Sequence, residues 1–197
     1  MADWLPILVA AYLIGSVPTA LIVSRLLGRG DIRQLGDGNM GARNVARSIG
    51  WAPGAAVGLV DFGKGAIGVW LATQAGLSDP LRLAAGLAAV AGHDFPLWAG
   101  FQGGQGMATS LGVLSLLLPA ATLVGLVLFA LAYLLTRVFD LSAAIGLGSI
   151  IGVAWWRGEP PLWVAYGALL FVSIGVKKVL DHPRRQALRE QVQQERA

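Results

Sequence analysis

Three stretches of this chain gather residue types that hold anions. The first is "GDGNMGARNVARSIG", Gly36–Gly50. Gly36, Gly38 and Gly41 let successive backbone N–H groups turn inward as an anion nest. Asn39 and Asn44 add side-chain amides. Arg43 and Arg47 are four apart, so a helix there would put both on one side, and guanidinium forks suit phosphate oxygens. A flexible loop whose arginines sit among lipid headgroups fits the same residues equally well.

The second stretch is "DFGKG", Asp61–Gly65, inside an apolar run. Asp61 and Lys64 are three residues apart and share a helical face. Ionisable residues at membrane depth are costly, which makes them functional candidates; a structural ion pair is the alternative. The third is "GHDFPLWAGFQGGQGMAT", Gly92–Thr109. His93 precedes a Gly-Gly turn that opens a helix, and such a helix start offers N–H donors to an anion. No Gly-Lys-Ser/Thr follows, so a nucleotide triphosphatase is disfavoured.

The elements that must carry these stretches are membrane helices. The chain has 197 residues, 55% hydrophobic and 13% charged, with a mean hydropathy of +0.64. Soluble domains carry about a quarter charged residues. There is no cysteine, and the two histidines, His93 and His182, lie too far apart in sequence to suggest a histidine metal site. The acidic-led, long apolar start argues for a retained span rather than a signal peptide.

Spans of about twenty apolar residues are expected near Trp4–Val23, Trp51–Ala72 and Leu81–Phe101. A short helix near 107–118 follows, then spans near 120–136, Leu141–Trp155 and Leu162–Val176. Pro18 is expected to kink the first span, and Pro119 to divide the fourth from the fifth. The fold class is therefore an all-α membrane protein of seven transmembrane helices. Residues 1–197 form one integral membrane domain, with 177–197 a basic cytoplasmic tail, read as a surface helix or a frayed end.

Five arginines fall between Arg25 and Arg47, and six basic residues between Lys177 and Arg196. With Arg137 they share one side of a seven-span topology. The positive-inside rule makes that side cytoplasmic and the N-terminus external. The clustering is juxtamembrane and does not resemble a nucleic-acid stripe. A cytoplasm-facing pocket that binds phosphates beside acyl chains suits an enzyme joining a phosphorylated polar substrate to a fatty chain. A transporter, with charged groups and glycine breaks between helices, is the competing class, although no repeat across the halves is visible.

The stretches "AYLIGSVPTALIVSRLLGRGDIRQLGDGNMGARNVARSIGW", "DFGKG" and "GHDFPLWAGFQGGQGMATSLG" resemble the bacterial PlsY family of acyl-phosphate:glycerol-3-phosphate acyltransferases. The resemblance runs from about Tyr12 to Gly112. It implies transfer of an acyl group from acyl phosphate to the 1-hydroxyl of glycerol 3-phosphate, giving lysophosphatidic acid and phosphate in the bacterial inner membrane, without metal or other cofactor. It places Gly38, Asn39, Gly41, Asn44 and Arg47 in a first substrate loop and Lys64 and Gly65 in a second motif. His93, Gly103, Gly104, Gly106 and Thr109 belong to a third. Arg47 and Lys64 would neutralise phosphate, glycine N–H groups would hold phosphoryl or developing oxyanion oxygens, and His93 would donate a hydrogen bond or move a proton.

This chain departs from that family at phosphate-contacting positions. Asp37 stands where the family has serine, Arg43 where it has threonine, and Gln102 and Gln105 where it has two lysines. The tail keeps His182 but lacks the family's Asn-Ile pair. The pocket thereby loses three positive charges and regains one at Arg43. The departures open a second expectation: a divergent paralogue with altered substrate, weak activity or none.

Overall fold

The computed structural model describes residues 4–183, 185–187 and 190, and among them every regular element is helical. Nine α-helices follow one another: α1 Trp4–Gly15, α2 Thr19–Leu26, α3 Ala42–Ser48, α4 Trp51–Gln74, α5 Asp79–Asp94, α6 Met107–Leu117, α7 Pro119–Thr136, α8 Phe139–Trp156 and α9 Pro161–Leu180. Among the described residues, five segments are long and apolar enough to cross a membrane: Trp4–Leu26, taken through its break, α4, α7, α8 and α9. Two of the seven expected spans are shorter. At ~1.5 Å per residue, α5 reaches roughly 24 Å and α6 roughly 17 Å, against a hydrocarbon core of about 30 Å.

The first span breaks where proline demands it. Helix α1 ends at Gly15, Ser16–Pro18 leave the helix, and α2 resumes at Thr19. Pro18 has no N–H to continue the ladder. The break turns the Val17 carbonyl aside, and Lys64 donates to it at 2.6 Å. The fourth and fifth spans divide as expected: Leu118 leaves the helical region and Pro119 starts α7.

The third span ends earlier than its hydropathy implies. Helix α5 stops at Asp94, and "LWA", Leu97–Ala99, forms a single 3-10 turn. Pro96 bars the preceding residue from helix, and Phe95 sits at φ −132°. The tail is also less superficial than its charges imply. Lys177 is buried on α9 and donates to both carboxylate oxygens of Asp181, at 2.6 and 2.7 Å. The remaining positions of the expected tail, residues 184, 188, 189 and 191–197, lie outside the described residues.

Small residues set the approach of the helices that carry the site, as is usual between membrane helices. A methyl added at Gly112 of α6 would overlap the Phe62 carbonyl oxygen of α4. Gly112→Ala is therefore expected to push α4 and α6 apart, at an overpacking cost of about 1–3 kcal/mol. Thermal unfolding in detergent would register this as a transition several degrees lower.

Candidate active site

Helices α2, α4 and α5 converge on a small cleft lined by Val17, Pro18, Thr19, Met40, Asp61, Lys64, His93, Pro96 and Gly104. Each of the three expected stretches supplies a wall. Met40 comes from the first loop, Asp61 and Lys64 from the second motif, and His93 and Gly104 from the third.

The charged floor of the cleft is a buried trio. Asp61, Lys64 and His93 are 2%, 4% and 7% exposed. Lys64 donates to Asp61 Oδ1 at 2.6 Å, and His93 Nδ1 lies 3.6 Å from the same oxygen. That second distance is within ion-pair reach but too long for a hydrogen bond. Lys64 has three N–H donors. Two go to Asp61 and Val17, which leaves one for a ligand oxygen. The sequence marks Asp61 as a charged candidate beside Lys64 but gives no sign of its contact with His93. That contact is made across two helices.

The glycine pair holds the histidine. Gly103 N–H donates to the Asp94 carbonyl and Gly104 N–H to the His93 carbonyl. These amides cap the end of α5, so the pair does not offer them to phosphate, contrary to the expectation from sequence. What the missing side chains supply is proximity. A methyl on Gly104 would overlap His93 Nε2. Gly106, at φ +69°, starts α6 in the left-handed region, where glycine is favoured. Gln102 is exposed, while Gln105 is half-buried with its amide nitrogen unpartnered. Thr109 is fully buried at the α4–α6 crossing, beside Gly65, and its hydroxyl has no partner. Thr19, missed by sequence reasoning, brings an unpartnered buried hydroxyl to the cleft wall.

The first loop is built around Asn44. Its amide donates to the carbonyls of Ile32, Leu35 and Asn39, and its oxygen accepts from Asp37 N–H and Ser48 Oγ. That fills the group, so Asn44 shapes the loop from within. Gly36 and Gly38 take positive φ of 60° and 70° to make the turn, and Gly41 precedes α3. Asn39 N–H donates to Asp37 Oδ1, and the Asn39 side-chain oxygen is buried without a partner. Arg33 links this loop to the third motif by donating to the Ala99 carbonyl.

The segment holding Arg43 and Arg47 is helical, but the two guanidinium groups diverge. Arg43 pairs with Asp140 at 3.3 Å and lies over the Phe139 ring, so its charge is not turned to the cleft. Arg47 pairs with Asp37 at 2.5 Å. Asp37 also accepts from Arg185 at 2.6 Å, a contact across 148 residues. The acid expected to weaken the pocket is thus matched by a cation that sequence reasoning passes over. Among the described residues, no group of three His, Cys, Asp or Glu side chains could hold a metal ion.

Comparison with known proteins yields relatives along nearly the whole chain. The family described as glycerol-3-phosphate acyltransferase matches residues 5–185. A glycerol-3-phosphate acyltransferase of Dehalococcoides mccartyi is 38% identical over 181 residues, covering 89% of this chain and 87% of the relative. One from Moorella thermoacetica is 39% identical over 170 residues, 85% and 87% of the two chains. One from Paramagnetospirillum magneticum is 45% identical over 152 residues, 76% and 74%. Crystal structures of PlsY, an integral membrane glycerol 3-phosphate acyltransferase, superpose on 94% of this chain and 93% of theirs. The glycerol 3-phosphate form has a TM-score of 0.84 at 29% identity, and the lysophosphatidic acid form 0.82 at 28%. A family match running from residue 5 to residue 185, with relatives 38–45% identical over most of their length, places this chain in the glycerol-3-phosphate acyltransferase family.

Proposed function

We propose that this protein transfers an acyl group from acyl phosphate to the 1-hydroxyl of glycerol 3-phosphate, forming lysophosphatidic acid and inorganic phosphate. The observation that carries the reading is the buried cleft, where Lys64 keeps one donor free next to His93. In the reaction the carbonyl–oxygen bond to phosphate breaks and an ester bond to the glycerol oxygen forms. The Lys64 ammonium neutralises the departing phosphate. His93, whose Nε2 lies toward Gly104, accepts the hydroxyl proton. An acyl phosphate is already activated, so positioning accounts for most of the acceleration. Arg47 at the loop holds the phosphate of the acceptor. Gly104 stands at the cleft wall, and Gly38, Asn39, Gly41, Gly103, Gly106 and Thr109 shape the loops and the helix crossing around it.

The same reading takes the chain as one membrane domain of the bacterial inner membrane, with the cleft facing the cytoplasm. The distribution of charge supports it. On the proposed outer side Arg82 pairs with Asp79 and Arg157 with Glu159, leaving little net charge. Arg25, Arg29, Arg33, Arg43, Arg47, Arg137, Lys178 and Arg185 share the other side, as the positive-inside rule requires of cytoplasmic loops.

Purified protein given acyl phosphate and glycerol 3-phosphate is expected to release inorganic phosphate in step with lysophosphatidic acid. The absence of both products would overturn the reading in favour of an inactive paralogue. Gln102 and Gln105, where the family has lysines, are the substitutions expected to lower the rate. Charge-assisted hydrogen bonds are worth about 1.5–3 kcal/mol each, so Gln102→Lys/Gln105→Lys is expected to raise kcat/KM for glycerol 3-phosphate by roughly tenfold or more.

A further inference from the structure

Two carboxylates tie α9 and the residues just beyond it to α3, and each serves one arginine of α3. Asp140 pairs with Arg43 at 3.3 Å and with Lys178 at 2.8 Å. Asp37 pairs with Arg47 and with Arg185. The two sites differ in burial. Asp140 is a surface acid with 56% of its side chain exposed, whereas the Asp37 side chain is 12% exposed and that of Arg185 17%. Exposed pairs contribute little, so the Asp37 hub is the one that matters.

Its geometry is specific. Arg185 grips Asp37 with two donors, Nη2 to the carboxylate and Nε to the backbone carbonyl at 3.2 Å. Arg47 reaches the same carboxylate oxygen, Oδ2, through one Nη2. Its side chain stays 51% exposed. One carboxylate cannot neutralise two guanidinium groups. The trio carries one net positive charge, and the open, singly bonded Arg47 presents it. Without Arg185, Asp37 and Arg47 would form a closed pair of zero net charge, three residues from the cleft wall at Met40.

We propose that Arg185 is a positioning residue for the phosphate site. By sharing Asp37 it keeps the charge of Arg47 available to a phosphate dianion, and it fastens the C-terminal helix over the first loop. The phosphate role of Arg47 rests on the function proposed above, but the device itself is testable without turnover.

The probe is glycerol 3-phosphate binding to the purified full chain in detergent, measured by calorimetry beside thermal unfolding, with glycerol as the uncharged control. Arg185→Gln is expected to weaken glycerol 3-phosphate about ten- to hundredfold, the value of one charge-assisted contact, and to leave glycerol unchanged. Arg185→Lys recovers part of the loss. Asp37→Asn/Arg185→Gln recovers most of it, because Arg47 no longer faces an unshared acid. In active protein the loss appears in KM with kcat nearly constant. A double variant binding no better than Arg185→Gln, or Arg185→Gln binding within threefold of wild type, overturns the proposal. A purely structural strap would lower the unfolding temperature of all three variants without this pattern in affinity. If wild type binds glycerol 3-phosphate but does not turn over, the function reading fails and the Arg185 comparison still decides the inference. Wild type that binds no glycerol 3-phosphate overturns both.

Discussion

Lys64→Met is expected to reduce acyl transfer by about a thousandfold or more, and to do so for a reason separable from folding. The ammonium makes two hydrogen bonds of 2.6 Å in a site where both it and Asp61 are almost wholly buried. Removing a preorganised donor from developing charge typically costs ~10²–10³ in rate. In the proposed reaction Lys64 also offsets the charge of the phosphate group. The complication is Asp61. Stripping a buried pair of one partner costs about 3–5 kcal/mol, so the single variant will unfold more readily. Lys64→Met/Asp61→Asn removes both charges, and it should restore the unfolding temperature while leaving turnover absent. Phosphate release in a single turnover, measured beside thermal unfolding, separates the two effects. A double variant within tenfold of wild type would assign Lys64 to the fold alone.

The membrane spans are legible in the sequence because length and hydropathy decide them, and the break at Pro18 because proline removes a donor. The end of α5 is not. "FPLWAGF" is as apolar as a span, and hydropathy does not distinguish an apolar turn from a helix. Within the site, Lys64 and His93 stand out as polar groups in apolar surroundings, and that signal is local. The meeting of His93 with Asp61, 32 positions away in the numbering of the chain, depends on how α4 and α5 cross. The partnership of Asp37 with Arg185 is further still from any local pattern. Counted along the chain, Asp37 is a loss of positive charge and Arg43 a gain. Tertiary pairing reverses the sense of each: Arg185 answers Asp37, while Arg43 is occupied by Asp140 and Phe139. What survives of the deficit is the pair of glutamines, and Gln105 keeps a buried, unpartnered amide that can still donate.

The glycine pair should divide function from stability at adjacent positions. A methyl added at Gly103 would overlap the His93 carbonyl oxygen and stand 2.7 Å from the Asp94 carbonyl oxygen. Those are backbone atoms at a helix end, which cannot turn aside. Gly103→Ala must therefore pull the loop off α5, and the variant is expected to unfold several degrees earlier and to lose activity with its structure. At Gly104 the methyl meets the His93 ring, overlapping Nε2. A ring can rotate, so the fold survives. The rotation takes Nδ1 away from Asp61 and moves Nε2 out of the cleft. Gly104→Ala is accordingly expected to keep its unfolding temperature within a few degrees while kcat falls by about a hundredfold or more, the usual worth of a placed general base. His93→Ala/Gly104→Ala should then be no slower than His93→Ala, because both substitutions delete one proton acceptor. If Gly104→Ala turns over at the wild-type rate, the imidazole is not the group that takes the proton. If it loses a further factor in the His93→Ala background, Gly104 contributes something of its own, and the cleft depends on the space at that position as well as on the histidine.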